Sequence, residues 1–331
     1  MLMNLTGRKY FDEINIVKGI AMLTVIWHHS MIVYPVDLQS LPWCQHALAV
    51  NQTYFLVVFF LVSGYLYAHS SRKSLSASVK SKVMRLLVPY FSFALVNLSV
   101  KLLAPGLVNK KVESVSDYLV SLFVYGGELW FLYVLFLIFM IWPLLVQQMQ
   151  RYQIGGTILG LAVMEILMAR DSMEGPFLYH EFIYYSVFFL TGYLLKDVRR
   201  DVLQRWQSCM VAAVLFLLLC VVFVMDIHIP YVDAYVKGAI GCLFVWTLSF
   251  QLLKIAFLAR PLAFVGKYSL SYYWLNGFAL VISRCVVINV LHIVSSPLIA
   301  LTILCMNVCL ITLAVLVIRR IPVVRIMIGV K

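Results

Sequence analysis

Apolar residues run in blocks of about 20 along the whole chain, separated by short polar breaks. The breaks are rich in proline, glycine and charge: "YPVDLQSLPW", "HSSRKSLSASVKSK", "APGLVNKKVESVSD", "ARDSMEGP", "KDVRRDVLQRW", "MDIHIPYVDAY" and "LARPLAFVGKY". The pattern predicts ten membrane-spanning helices, near 14–34, 47–69, 84–104, 129–148, 154–170, 180–196, 208–226, 234–253, 268–290 and 296–318. The fifth is short and contains Glu165. The expected fold is all-α, a polytopic bundle forming one transmembrane domain over residues 1–331. The first apolar run is long and follows the charged segment "GRKYFDE", so it is read as a retained helix and not a cleaved leader. No repeat of 20–50 residues and no low-complexity segment is evident.

Composition sharpens this picture. Of 331 residues, 63% are hydrophobic and 12% charged, with a mean hydropathy of +0.95. A soluble domain has no way to hide so much apolar surface. The net charge of +12 is better read as membrane orientation than as affinity for nucleic acid, and no nucleic-acid partner is expected. Sorted by the ten-span pattern, 20 Lys and Arg fall on the side of the two termini and 6 on the other. The positive-inside bias therefore puts both termini in the cytoplasm and supports an even number of spans. The seven cysteines show no CxxC or Cys/His spacing, so no metal is expected.

The candidate chemistry lies in polar groups that interrupt the apolar runs. A charge at mid-bilayer costs roughly 2.5–3.5 kcal/mol on insertion scales, so such groups tend to be kept for function. The first span, "IVKGIAMLTVIWHHSMIVYP", holds Lys18, His28 and His29. Lys18 and His29 are eleven residues apart, almost three helical turns, and so share a face about 16 Å apart. His28 points about 100° away from His29. A groove along the shared face would run from the cytoplasm into the membrane. The plainer alternatives are that Lys18 snorkels to the interface and that the histidines only pack. Ser63 and Gly64 in "FFLVSGYLYA" serve either close helix packing or a site. Lys82 and Arg85 share a face in "SKVMRLLVPY", and part of their role is membrane anchoring. Glu128 precedes the aromatic start "LWFLYVLF", which holds Trp130, where a carboxylate would be placed to orient an imidazolium.

At these residues the sequence resembles the acyltransferase-3 family of bacterial membrane O-acyltransferases, in its sugar O-acetylase branch related to fucose 4-O-acetylase. Lys18, Gly19 and His29 match that family's first-helix pattern in register, so His29 rather than His28 takes the functional position. "FFLVSGYL", "KVMRLLVPY" (with Arg85 and Pro89), "LWFLYVLF", "VFFLTGYLL" and "VGKYSLSYYWLNGF" resemble later family segments in the right order, over about 300 residues. The sequence departs from the pattern at Asn15, where Asp is usual, at Asn276, where a late His often stands, and at Glu128, where some members have His. The resemblance implies transfer of an acetyl group from acetyl-CoA, as a co-substrate with no permanently bound cofactor. The acceptor would be a sugar hydroxyl of a cell-envelope polysaccharide or its lipid-linked precursor, at the bacterial inner membrane. His29 would be catalytic base or acyl carrier, with Glu128 beside it in the catalytic set. Lys18 and Arg85 would bind the donor, with Lys82, Arg72 and Lys73 supporting, and Ser63 and Trp130 would line the substrate site. The competing class is a secondary transporter or flippase for a sugar or lipid-linked glycan. That class calls for paired repeats and broken helices, which the sequence does not display.

Overall fold

The computed structural model describes residues 12–33, 36–70, 75–103, 112, 114–142, 160, 178–197, 200–225 and 233–328. Among them every regular element is helical. In order these are α1 (Asp12–Met31), α2 (Pro42–Gln52), α3 (Val57–Ala68), α4 (Leu75–Lys82), α5 (Val88–Leu103), α6 (Val115–Tyr125) and α7 (Trp130–Trp142). Then follow α8 (Tyr179–Leu194), the short α9 (Arg200–Leu203), α10 (Trp206–Val224), α11 (Asp233–Leu252), α12 (Ala256–Lys267), α13 (Ser269–Cys285), α14 (Ser296–Ile318) and α15 (Pro322–Met327). Each predicted span except the fifth contains a helix; of the fifth, 154–170, only Gly160 is among the described residues.

Six of these stretches are long and apolar enough to cross a membrane, or seven if α6 and α7, bent by 43° at their junction, form one span. Three of the six join shorter elements, Pro42–Ala68, Ser76–Leu103 and Ser269–Val290. α8, at 16 residues, and α1, with its acidic first turn, Lys18 and two histidines, are not in that set.

Four predicted breaks turn out to hold helices: α4 in "HSSRKSLSASVKSK", the one-turn α9 in "KDVRRDVLQRW", and α6 and α12. α6 occupies part of what reads as a connection, and a local signal marks it. The Ser114 hydroxyl accepts from the Asp117 backbone N–H at 3.0 Å, and Gly126 closes the helix at φ 70°. α12 occupies "LARPLAFVGKY" despite Pro261, whose missing N–H leaves the Phe257 carbonyl without its usual donor one turn back.

The chain divides into two compact units, Met1–Val62 with Asp197–Leu313, and Ser63–Lys196 with Ala314–Lys331. In the first unit α1 is wrapped by α2, α11, α12 and α13. Ile14, Ile16, Val17, Ala21, Met22, Val25, Ile26 and Met31 are all buried, at positions right round the helix. Apolar residues spread right round a helix need cover from protein or lipid, and for α1 the neighbouring helices supply it. The approach of α12 is set by two glycines. A β-carbon at Gly19 would collide with the Leu262 carbonyl, and one at Gly266 with the Asn15 carbonyl. Where α1 ends, Met31, Leu38, Cys44, Leu48, Val287, Ile299 and Ile303 close one apolar cluster. α10, by contrast, leaves Leu217, Leu218, Val221 and Val224 exposed, an outward face suited to lipid chains.

In the second unit Gly64 lets its helix meet the backbone of α8, where a β-carbon would strike the Phe189 carbonyl. Trp142 sits 4.8 Å, centroid to centroid, from both Phe189 and Tyr193. Tyr90 donates to the Leu122 carbonyl at 2.6 Å and Tyr118 to the Ala94 carbonyl at 2.9 Å, tying α5 to α6. The polar tip of each ring is thereby satisfied away from water.

Candidate active site

The first unit holds Lys18, His28 and His29. All three lie on α1, the most enclosed helix described, so their polar groups face protein or an interior space and not bulk lipid. The two histidines, though adjacent, have different surroundings. His28 is buried, stacked on Phe55 at 5.0 Å with an interplanar angle of 20°, and its Nδ1 has no hydrogen-bond partner. His29 is half-buried and meets His28 edge-on at 5.5 Å. Among the described residues the His29 ring has no hydrogen-bond partner. An imidazole in this state keeps its ring nitrogens open to a reacting group. Lys18 is also half-buried, close to three turns back along the same helix.

Three supports for this helix were not read from the sequence. Asn51, buried on α2, donates through Nδ2 to the Thr24 carbonyl at 2.7 Å and anchors α1 just over one turn before the histidines. Phe55 supplies the face on which His28 rests. Gly266 admits the α12 backbone. The signal for Asn51 is a short polar break, Asn51-Gln52-Thr53, inside the apolar run "ALAVNQTYF", where an amide seeks a backbone carbonyl across a helix pair. Further along this unit, Asn276 is buried and accepts from Asn307 Nδ2 at 3.0 Å, which joins α13 to α14.

The second unit holds Ser63, Lys82, Arg85, Glu128 and Trp130. Lys82 and Arg85 are separated in role by their surroundings. Lys82 Nζ rests 3.3 Å from the Phe139 ring centroid and 6.0 Å from that of Tyr67, so its charge is held by aromatic faces. Arg85 is exposed and has neither an ion-pair nor a hydrogen-bond partner among the described residues. It sits in a π-helical turn, Val83–Leu87, closed by the Val88 N–H bonding to the Val83 carbonyl. Pro89 follows at once and has no N–H to continue an α-helical ladder, which accounts for the widened turn. Such turns recur at functional sites because they re-aim one side chain without ending the helix.

Glu128 is exposed, and its partner among the described residues is Lys101, which donates to its carboxylate. Trp130 packs on Tyr185 at 5.7 Å, and Ser63 is half-buried on α3. Arg72 and Lys73 lie outside the described residues. No group of three or more His, Cys, Asp or Glu suited to a metal is present among the described residues.

An all-α bundle of membrane-length helices, whose enclosed first helix carries an open imidazole and a cation, defines an integral membrane protein built for chemistry on its substrates. Residues 11–316 match the family model described as an acyltransferase domain, and the chain belongs to this acyltransferase-3 family. It is a membrane acyltransferase. No curated protein and no solved structure matches the chain.

Proposed function

We propose that the protein moves an acetyl group from cytoplasmic acetyl-CoA to a sugar hydroxyl of a cell-envelope polysaccharide or its lipid-linked precursor, in the bacterial inner membrane. The observation that carries this reading is His29, a half-exposed imidazole without a hydrogen-bond partner among the described residues, on a helix otherwise enclosed by protein. The sugar oxygen bonds to the thioester carbonyl carbon and the carbon–sulfur bond breaks. The hydroxyl proton passes through the His29 imidazole to the departing thiolate, leaving an ester and free coenzyme A. His29 would alternatively take the acetyl first and hand it to the hydroxyl. Phosphates of the donor call for cations, and the open guanidinium of Arg85 and the ammonium of Lys18 are the candidates.

The test is the mass of envelope glycans from cells with and without the protein. The expected result is a gain of one acetyl group per repeat, removed by mild base and absent with His29→Ala. Glycans of identical mass in both cells would refute the proposal. Mass analysis of the purified protein with donor alone separates the two routes, because only an acyl carrier shows one added acetyl on the peptide holding His29.

A further inference from the structure

α14 is 23 residues long, which at 1.5 Å per residue is about 34 Å, enough to cross a hydrocarbon core of roughly 30 Å. Its last residue, Ile318, therefore reaches the headgroup layer, and the next two residues are Arg319 and Arg320, both exposed. The chain then turns at Ile321 into α15. α15 is held down at its far end. The Met327 carbonyl accepts from Ser92 Oγ of α5 at 2.7 Å, and Ile328 is buried. Between these anchors Ile321, Val323 and Ile326 are exposed, Val323 at 69%. A short segment docked at the end of a span, with apolar side chains open on it, has the character of an element lying in the membrane interface.

Arg325 adds a specific demand. Its Nε is buried and has no hydrogen-bond partner. Arg319, Arg320 and Arg325 have no acidic partner among the described residues. Orientation by positive charge would be served by exposed cations alone. It gives no reason to bury a guanidinium nitrogen without an acceptor, which is unfavourable unless something supplies one. The chemistry that meets a forked guanidinium and two neighbouring cations at headgroup depth is a phosphate.

We infer that Arg319, Arg320 and Arg325 form a binding site for the phosphate of an anionic phospholipid, whose chains lie over Ile321, Val323 and Ile326. The lipid is favoured over a soluble phosphate because the apolar side chains are exposed alongside the arginines.

The test uses the full-length protein, reconstituted with equal amounts of phosphatidylglycerol and phosphatidylcholine, then stripped with detergent and weighed by native mass spectrometry with its retained lipids. Wild type should retain phosphatidylglycerol preferentially. R319Q/R320Q/R325Q should lose that preference, by roughly five-fold for each arginine removed. K254Q/R260Q, which removes exposed cations at and just before α12, should keep it. Arg319 and Arg320 are exposed, so R319Q/R320Q serves as a second variant if loss of Arg325 disturbs packing, and it should show a partial loss. Three outcomes overturn the inference: no preference in wild type, equal loss in K254Q/R260Q, or release of the retained lipid by adenosine 3′,5′-bisphosphate. The last would assign the arginines to a soluble phosphate.

Discussion

His28 and His29 are neighbours in sequence and unlike in surroundings, and the difference is testable. Removing the ring at His29 should abolish acetyl transfer, because it takes away the imidazole that has no hydrogen-bond partner among the described residues. Removing it at His28 should leave substantial activity while lowering the melting temperature. The stack on Phe55 is an aromatic pair of the kind worth about 0.5–1.5 kcal/mol beyond its buried area. Initial rates and thermal melts of His28→Ala and His29→Ala at equal protein level check both statements, and equal loss of activity in the two would contradict them. Arg85 offers a second case. Its guanidinium has no partner to release, so Arg85→Ala should cost little stability. The apparent KM for acetyl-CoA should rise several-fold and that for the acceptor stay unchanged, since a phosphate clamp acts on donor binding. An unchanged donor KM would remove Arg85 from the donor site. The Lys18–His29 register was legible in the sequence, because a helix repeats its faces every 3.6 residues whatever surrounds it. The burial of His28, and the pairing of Glu128 with Lys101 across 27 residues, were not, because each depends on a neighbour from another helix.

Elements show where the hydropathy pattern is a sufficient guide. α14 occupies the predicted 296–318, α10 and α11 begin and end within about two residues of expectation, and α13 reaches its expected end at Val290 through a π-helical turn, Val286–Val290. α6 and α12 escaped it because they are 11 and 12 residues long and lack the unbroken apolar run that marks a span. Pro261 disguised α12 further. Yet α12 is a main packing partner of α1, and the contact is backbone against backbone at Gly19 and Gly266. Gly19→Ala and Gly266→Ala should each lower stability by about 1–3 kcal/mol, the usual cost of overpacking. Because Gly19 lies beside Lys18, the first should also impair transfer. Thermal melts in detergent with matched activity assays check this, and a Gly19→Ala protein that melts like wild type would show that the helices have room to part. Pro89 has the opposite character. With an N–H restored by Pro89→Ala, the α-helical ladder has no reason to widen at Val83–Leu87. Stability should hold or rise while Arg85 turns away from its position. The expected signature is a raised donor KM without a lowered melting temperature, and loss of both together would mean that Pro89 acts through packing alone.

For the whole molecule the sequence-level expectation still to be measured is orientation. The 20-to-6 division of basic residues predicts that both termini lie in the cytoplasm and the segment before α7 outside it. Ser116 lies exposed in the first turn of α6. A Ser116→Cys variant lacking the seven native cysteines should react with an impermeant maleimide in spheroplasts before lysis. Labelling only after lysis would reverse the orientation. The sequence by itself determined that this chain is an α-helical membrane protein, where most of its long helices lie, and which histidine shares a face with Lys18. Those properties follow from local hydropathy and from the helical period, and each is contained within one segment. Only the tertiary structure decided that α1 is enclosed, that Asn51 and Phe55 hold it, that Lys82 rests on Phe139 while Arg85 stays open, and that α12 reaches α1 through paired glycines. Each of these requires residues far apart in the chain to meet, and a local pattern of apolar and polar positions says which face of a helix is buried without saying what buries it.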